Sequence, residues 1–291
     1  MLTTTKAPFI EHAREDGRLF IEQPYHLYSM ENHQVWGTLY RRMEPVWLRF
    51  ANPWFLEGLD VLRLGRERVP RLAEVNRLLA RRTGFQARAV SGYVPSNEFF
   101  ACLARREFPT TVTIRSASSL DYLPEPDIFH DIAGHVPMHT DPLFADVLVQ
   151  FGRCAATAAE QAPDATAAAS VLRGMARFFW FSIEFGLMQT ADGLRAYGSG
   201  LLSSAGELAY ALESNLPKRT QFDLREVVNQ PFEINHFQPI LYYVDSFRHL
   251  YEQVTELEHW VREGRLDRVA PDAPPTELAS FCDGLPAEAS T

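Results

Sequence analysis

His130 and His135 stand five residues apart in the stretch PEPDIFHDIAGHVP, residues 124–137, with Gly134 and Pro137 bracketing the second histidine. Neutral imidazole is the most common metal-binding side chain, so a close pair invites that reading. Five residues of ideal α-helix turn through about 500°, which leaves the two side chains ~140° apart. Both reach one ion only where the helix ends or bends near Gly134, and Gly134 and Pro137 supply that break. The spacing is not that of the HExxH zinc helix, whose histidines sit four apart with a glutamate beside the first, so a protease-type zinc site is not expected. The best third ligand is Glu184 in RFFWFSIEFGLM, residues 177–188. At helical spacing its neighbours are Trp180, Phe181, Leu187 and Met188, an apolar face on which an unpaired carboxylate costs several kcal/mol or more and calls for a cation. Two imidazoles and one carboxylate with open coordination positions form the facial triad of non-haem Fe(II) oxygenases, where oxygen and a substrate meet side by side. A plainer reading stands beside this one: in a chain with nine histidines, two within six residues are equally well ordinary helix-end residues. Glu184 has alternative partners in Arg173 and Arg177, earlier on the same helix. His139 reads as a surface-side histidine without a role.

The elements that must carry these residues are mainly helical. Helical periodicity runs over 26–50, where Leu27, Val35, Leu39, Val46, Trp47 and Phe50 recur at about one-turn intervals, and again over 54–64, 70–82, 96–106, 142–161, 171–189, 204–214 and 245–264. Ser204 with Glu207 reads as a capping box at a helix start. The β-branched run TTVTIR, residues 110–115, and PILYYV, residues 239–244, predict a few short strands. The alanine-rich tract 155–169 is broken by Pro163 and Asp164 and reads as a helix end followed by a surface loop. The expected fold is therefore mainly α with a few short β-strands, in a single catalytic domain over 25–265, with an N-terminal extension at 1–24 and a flexible tail at 266–291.

Bulk properties exclude several function classes. Acids outnumber bases by 37 to 28, for a formal charge of −9, so nucleic-acid binding through bulk charge is not expected. Hydrophobic residues make up 46% of the chain, enough for a sizeable core. The longest aromatic-apolar run, Phe178 to Phe181, is far short of the ~20 residues of a membrane span. The first residues carry no apolar stretch of signal-peptide length. Cys102, Cys154 and Cys282 are widely spaced and include no CxxC pair, which fits a reducing cytoplasm.

Four stretches, YLPEPDIFHDIAGHVP (122–137), FWFSIEFGL (179–187), AYGSGLLSSAGE (196–207) and FQPILYYVDSF (237–247), resemble the pterin-dependent aromatic amino acid hydroxylases in order and spacing. The resemblance covers about Tyr25 to Trp260, the length of a lone catalytic domain as in bacterial members of that family. It implies that His130, His135 and Glu184 bind catalytic Fe(II). It further implies that a tetrahydrobiopterin or related reduced pterin meets the segment holding Gly92, Val94, Ser96 and Phe99, with the Phe99 ring stacked on the heterocycle and Asp131 reaching it by way of water. On the substrate side it points to Arg115 for the amino acid carboxylate, oriented by Asp127, and to Tyr122, Leu123, Pro126, Trp180, Phe185, Gly200, Ser203 and Ile234 around the amino acid. A guanidinium fork suits a carboxylate because two parallel charge-assisted hydrogen bonds fix its orientation. The bland alternative is a purely structural Arg–Asp pair.

Two positions depart from the family pattern: Phe179 replaces the usual tyrosine before the tryptophan, and Leu123 replaces a threonine of animal members. The activity implied is hydroxylation of free L-phenylalanine to L-tyrosine with O2, by a monomer without nucleic-acid or membrane partners. Competing activities are meta attack and tryptophan hydroxylation. A different class is an iron-binding sensor or partner-binding module, against which the intact triad argues. Gly198 and Gly200 do not form a dinucleotide-binding fingerprint, since the third glycine is absent at the required spacing.

Overall fold

The computed structural model describes residues 2–4, 7–120, 126–234 and 236–272. Helices α1 (Pro8–Glu15), α2 (Met30–Phe50), α3 (Pro53–Leu62) and α4 (Leu72–Arg82) come first. Strand β1 (Gln86–Val90), helix α5 (Ser96–Ala104) and strand β2 (Glu107–Thr111) then form a parallel β–α–β unit. Helices α6 (Pro142–Ala158) and α7 (Ala165–Phe179) follow. The last third holds β3 (Leu187–Thr190), β4 (Gly193–Ala196), α8 (Ser199–Leu202), α9 (Ala205–Glu213), β5 (Lys218–Gln221), α10 (Leu224–Asn229), β6 (Ile240–Val244) and α11 (Phe247–Arg262). Strands β3 to β6 make one small sheet in the order β4-β3-β6-β5, antiparallel only between β3 and β4. Among the described residues no helix is long and apolar enough to cross a membrane.

Side-chain caps set most helix starts. Ser29, Asn52, Asp141, Asp164, Ser204, Asp223 and Ser246 each accept a backbone N–H of the first turn. Helix α2 backs the site: Trp36 meets Phe129 edge-on at 5.1 Å, and Trp47 stacks near the same ring while its Nε1 donates to the Leu202 carbonyl at 2.7 Å. That one helix thus braces both the residue before His130 and the end of α8.

Several expected boundaries move. The helix expected over 171–189 starts earlier, at Ala165, because Asp164 caps it, and it stops short of 189, because residues 187–190 pair with β4 and β6. The strand expected over 110–115 is Glu107–Thr111; its ladder ends where the Thr111 N–H turns to Asp131 Oδ2 at 2.7 Å, and Ile114 forms only a bridge with Thr3. The start of the tail expected from 266 is packed on the fold: Leu266 is fully buried, Val269 is buried, and the Ser170 hydroxyl on α7 bonds the backbone of both. Residues 273–291 lie outside the described residues.

Candidate active site

Both segments that carry the three ligands are wide, π-type turns. Over His130–His135 the closing bond runs from the Val136 N–H to the Asp131 carbonyl, and over Trp180–Glu184 from Phe185 N–H to Trp180 O, each spanning five residues. An i→i+5 turn brings a residue nearly above the one five positions earlier. The histidine spacing, awkward on an α-helix, is in register here. Gly134 and Pro137 therefore do not end the helix between the ligands, as the sequence suggested; the turn widens, and a 3-10 turn follows over Val136–Thr140.

His130 Nε2 lies 3.2 Å from His135 Nε2, His135 Nε2 3.1 Å from Glu184 Oε1, and His130 Nε2 3.7 Å from Glu184 Oε2. Neighbouring donors bound at ~2.1 Å around an octahedral ion are ~3.0 Å apart, so these three distances fit one face of a six-coordinate shell. Among the described residues this is the one group of three His, Cys, Asp or Glu side chains placed to hold a metal. Two nitrogens and one oxygen suit Fe(II) and leave the opposite face open. His130 Nδ1 is 2.8 Å from Ser203 Oγ, a partner that keeps the proton on Nδ1 and Nε2 free for metal. Burial pushes the His130 pKa down to about 4, so the ring is neutral and ligand-competent at pH 7. Burial opposes charge on Glu184, yet His135 and the Ser199 hydroxyl hold its carboxyl below the usual range. Arg173 and Arg177 are not its partners: both bond Asp272, and Arg177 also takes the Val228, Ala270 and Pro271 carbonyls.

The open face looks into a cavity of about 740 Å³ lined by His130, His135, Glu184 and Asp131, together with Gly92, Val94, Phe99 and Pro126. Ser96, the first residue of α5, is not on that wall. Phe99 is held edge-on by Phe108 and Phe179, and Phe179 packs in turn on Phe151, so Phe179 belongs to an aromatic cluster. Asp131 accepts the Thr111 N–H and hydroxyl, and burial raises its pKa to about 7.

Arg115 and Asp127 are both buried and form a bidentate pair, Nε to Oδ2 at 2.8 Å and Nη2 to Oδ1 at 3.0 Å. Asp127 Oδ1 also accepts the His130 N–H at 3.0 Å, tying the pair to the ligand turn. Neither residue lines the cavity, and neither do Trp180, Phe185, Gly200, Ser203 or Ile234. Trp180 stacks on Phe232 at 4.3 Å, meets Phe185 at 4.6 Å and donates from Nε1 to Gln238 at 3.1 Å. Gly200 presses on that group, since a Cβ there would be 2.9 Å from the Phe185 ring. Ile234 is exposed, at 48%. Tyr122 and Leu123 lie outside the described residues.

His139 overturns its surface expectation. It is fully buried among Phe85, Phe108 and Phe144, neither ring nitrogen has a hydrogen-bond partner, and burial holds its pKa well below the ordinary value. Sequence reasoning also missed Ser199, whose Oγ lies 2.8 Å from both His135 Nε2 and Glu184 Oε2. Its signal was weak, a serine inside a glycine-flanked loop.

Glu207, read as half of a capping box, has its N–H on Ser204 Oγ, but its side chain is buried, and burial first, then the charge of Glu184, pushes its pKa up to about 8. A raised carboxyl pKa means that the native state holds a proton that the unfolded chain releases. Between the ordinary value of 4.5 and about 8 this group therefore costs stability increasingly as pH rises. Glu207→Gln should flatten thermal stability over that window, and an unchanged pH slope would show that Glu207 titrates normally.

The fold agrees with the comparisons. Residues 20–265 match the family model for biopterin-dependent aromatic amino acid hydroxylases, and the chain belongs to that family. It is 39% identical over 251 residues to the phenylalanine-4-hydroxylase of Chromobacterium violaceum, covering 86% of this chain and 81% of that protein. It is 42% identical to that of Caulobacter vibrioides over 80% of this chain and 76% of the relative. A crystal structure of the C. violaceum enzyme with iron(III) and oxidised 7,8-dihydrobiopterin superposes with a TM-score of 0.78 at 37% identity, covering 87% of this chain and 91% of that one.

Proposed function

We propose that this chain is an Fe(II)- and tetrahydropterin-dependent monooxygenase that converts free L-phenylalanine and O2 to L-tyrosine. The observation that carries this reading is the facial set of His130, His135 and Glu184 opening onto a cavity that also presents Phe99 and Gly92, in a family whose similar members are phenylalanine-4-hydroxylases. Bound there, Fe(II) and the reduced pterin supply the activation of O2. The protein's own contribution is arrangement. Phe99 offers a flat face to the heterocycle, Asp131 a carboxyl whose proton equilibrium lies near neutrality, and Ser203 keeps His130 in its metal-binding tautomer. The Arg115 guanidinium, already oriented by Asp127, holds the substrate carboxylate. The Trp180, Phe185 and Gly200 group sets the ring's side of the site. The chain acts as a monomer in the reducing cytoplasm, in keeping with two buried free thiols, Cys102 and Cys154.

Phenylalanine is expected to be preferred over tryptophan and tyrosine, and para attack over meta. Trp180 leaves a bulky indole too little room, and Ile234, where tyrosine-specific members carry an acid, gives a substrate hydroxyl no partner. Incubation of iron-loaded enzyme with tetrahydrobiopterin and each aromatic amino acid, with para- and meta-tyrosine resolved by chromatography, tests this. Mainly meta-tyrosine, or a kcat/KM for tryptophan equal to that for phenylalanine, would overturn the specificity; no product from any of them would favour a sensor.

A further inference from the structure

The N-terminal segment, an extension by its sequence and up to residue 19 outside the family-matched residues 20–265, contributes to the cavity. Ala7, Ile10, Glu11 and Arg14 of this segment line the same space as Gly92, Val94 and Phe99. Backbone bonds anchor the segment on both sides of α1. Before the helix, Thr3 bridges Ile114, Thr4 N–H donates to Ile114 O at 3.0 Å and Ile114 N–H to Leu2 O at 2.8 Å, directly before Arg115. After it, Phe20 bridges Val90 and Ile21 N–H donates to Ala89 O at 3.1 Å, extending the sheet at β1.

The turn that leaves β1 is gripped most closely. Arg14 Nε donates to the Ser91 carbonyl at 2.7 Å, Ser91 N–H donates to Leu19 O at 2.9 Å, and the Ser91 hydroxyl donates to Arg18 O at 2.6 Å. Gly92 has φ +143°, a conformation that side chains rarely adopt, and a Cβ there would lie 2.0 Å from Arg14 Nη2. The guanidinium thus occupies the space a side chain at 92 would need, and its Nε takes up the preceding carbonyl. Such a turn has little intrinsic preference for one shape, so the groups packed around it decide which it takes. We infer that α1 is a wall of the pterin cavity and that Arg14 is a positioning residue, holding the Ser91–Gly92 turn in the shape that receives the reduced pterin. This rests on the reading of that cavity as the pterin site.

The test uses the full chain loaded with Fe(II), titrated anaerobically with tetrahydrobiopterin by calorimetry, in wild type, Arg14→Ala, Arg14→Gln, Arg14→Lys and Phe99→Ala. Arg14→Ala and Arg14→Gln should weaken pterin binding about tenfold, equivalent to ~1.4 kcal/mol. Arg14→Lys should recover part of the loss, since an ammonium can still reach the Ser91 carbonyl. Iron content, thermal midpoint and KM for phenylalanine should stay near wild type. If Phe99→Ala weakens pterin binding and neither Arg14→Ala nor Arg14→Gln does, the inference fails while the cavity assignment stands. If Phe99→Ala has no effect either, the cavity assignment itself fails. Equal losses for pterin and phenylalanine, with a lowered thermal midpoint, would make Arg14 a general structural contact and overturn the positioning role.

Discussion

Alanine at His130, His135 or Glu184 is expected to abolish hydroxylation and to leave the purified protein without stoichiometric iron, while the fold survives. The three donors are held by backbone turns rather than by one another. Each π-type turn keeps its own five-residue hydrogen bond after a ligand is cut back, and α2 still braces Phe129 from behind. What is lost is one of three protein donors, and a two-donor site neither retains Fe(II) nor keeps its open face toward the cavity. A graded companion comes from Ser203→Ala. Removing the partner of His130 Nδ1, 2.8 Å away, frees the ring to rotate or change tautomer, and iron affinity should fall by about 10–100-fold with turnover recovered at high iron. Iron titration of the apoprotein with circular dichroism in parallel checks both. Full activity in His135→Ala would remove that residue from the site.

Asp127→Ala should be the most damaging change outside the ligands. Asp127 is wholly buried, takes both Nε and Nη2 of an Arg115 that is only 4% exposed, and accepts the His130 N–H. Its loss strands a buried guanidinium, at a cost of ~3–5 kcal/mol, and releases the first residue of the ligand turn. Arg115→Lys asks a narrower question. An ammonium cannot form the fork to Asp127 and present a second edge to a substrate carboxylate, so KM for phenylalanine should rise, by roughly tenfold or more if a charge-assisted bond of ~1.5–3 kcal/mol is lost. Denaturant unfolding, iron content and steady-state kinetics separate the two effects. A lysine variant that is destabilised but keeps KM within about twofold would make the pair structural. Burial opposes ionisation of Asp127, but Arg115 holds its pKa below the ordinary value, so the stability it contributes is present at neutral pH and lost as pH falls through the acid range.

What was legible in the chain by itself was the chemistry and much of the helix content. A carboxylate among Trp180, Phe181 and Leu187 has to meet a cation, and the two histidines supply the other donors. Side-chain caps such as Ser204 mark helix starts within a few residues, because a cap is a local hydrogen bond. The resemblance of four short stretches to one family favoured the metal reading of His130 and His135 over the ordinary helix-end one.

Tertiary structure decided how those residues meet. Nothing in a periodicity count distinguishes a π-type turn from an α-helix, since the choice depends on which carbonyl the fold leaves for each N–H; the spacing instead suggested a helix break at Gly134. Strands β1, β3, β4 and β5 are short and have little intrinsic preference, and they exist because a partner lies alongside. Pro109, in the middle of β2, hides the first half of that strand from a propensity reading, which placed it over 110–115 instead. His139 looked polar and peripheral, yet aromatic rings from β2 and α6, and Phe85 beside β1, close over it. Ser199 reaches two ligands only because α8 folds back across both turns, and α1 becomes a cavity wall only by pairing at both ends with distant backbone. These are contacts between residues far apart in the chain. Local sequence carries no record of them, because burial and hydrogen bonding at each site are set by what the rest of the fold brings to it.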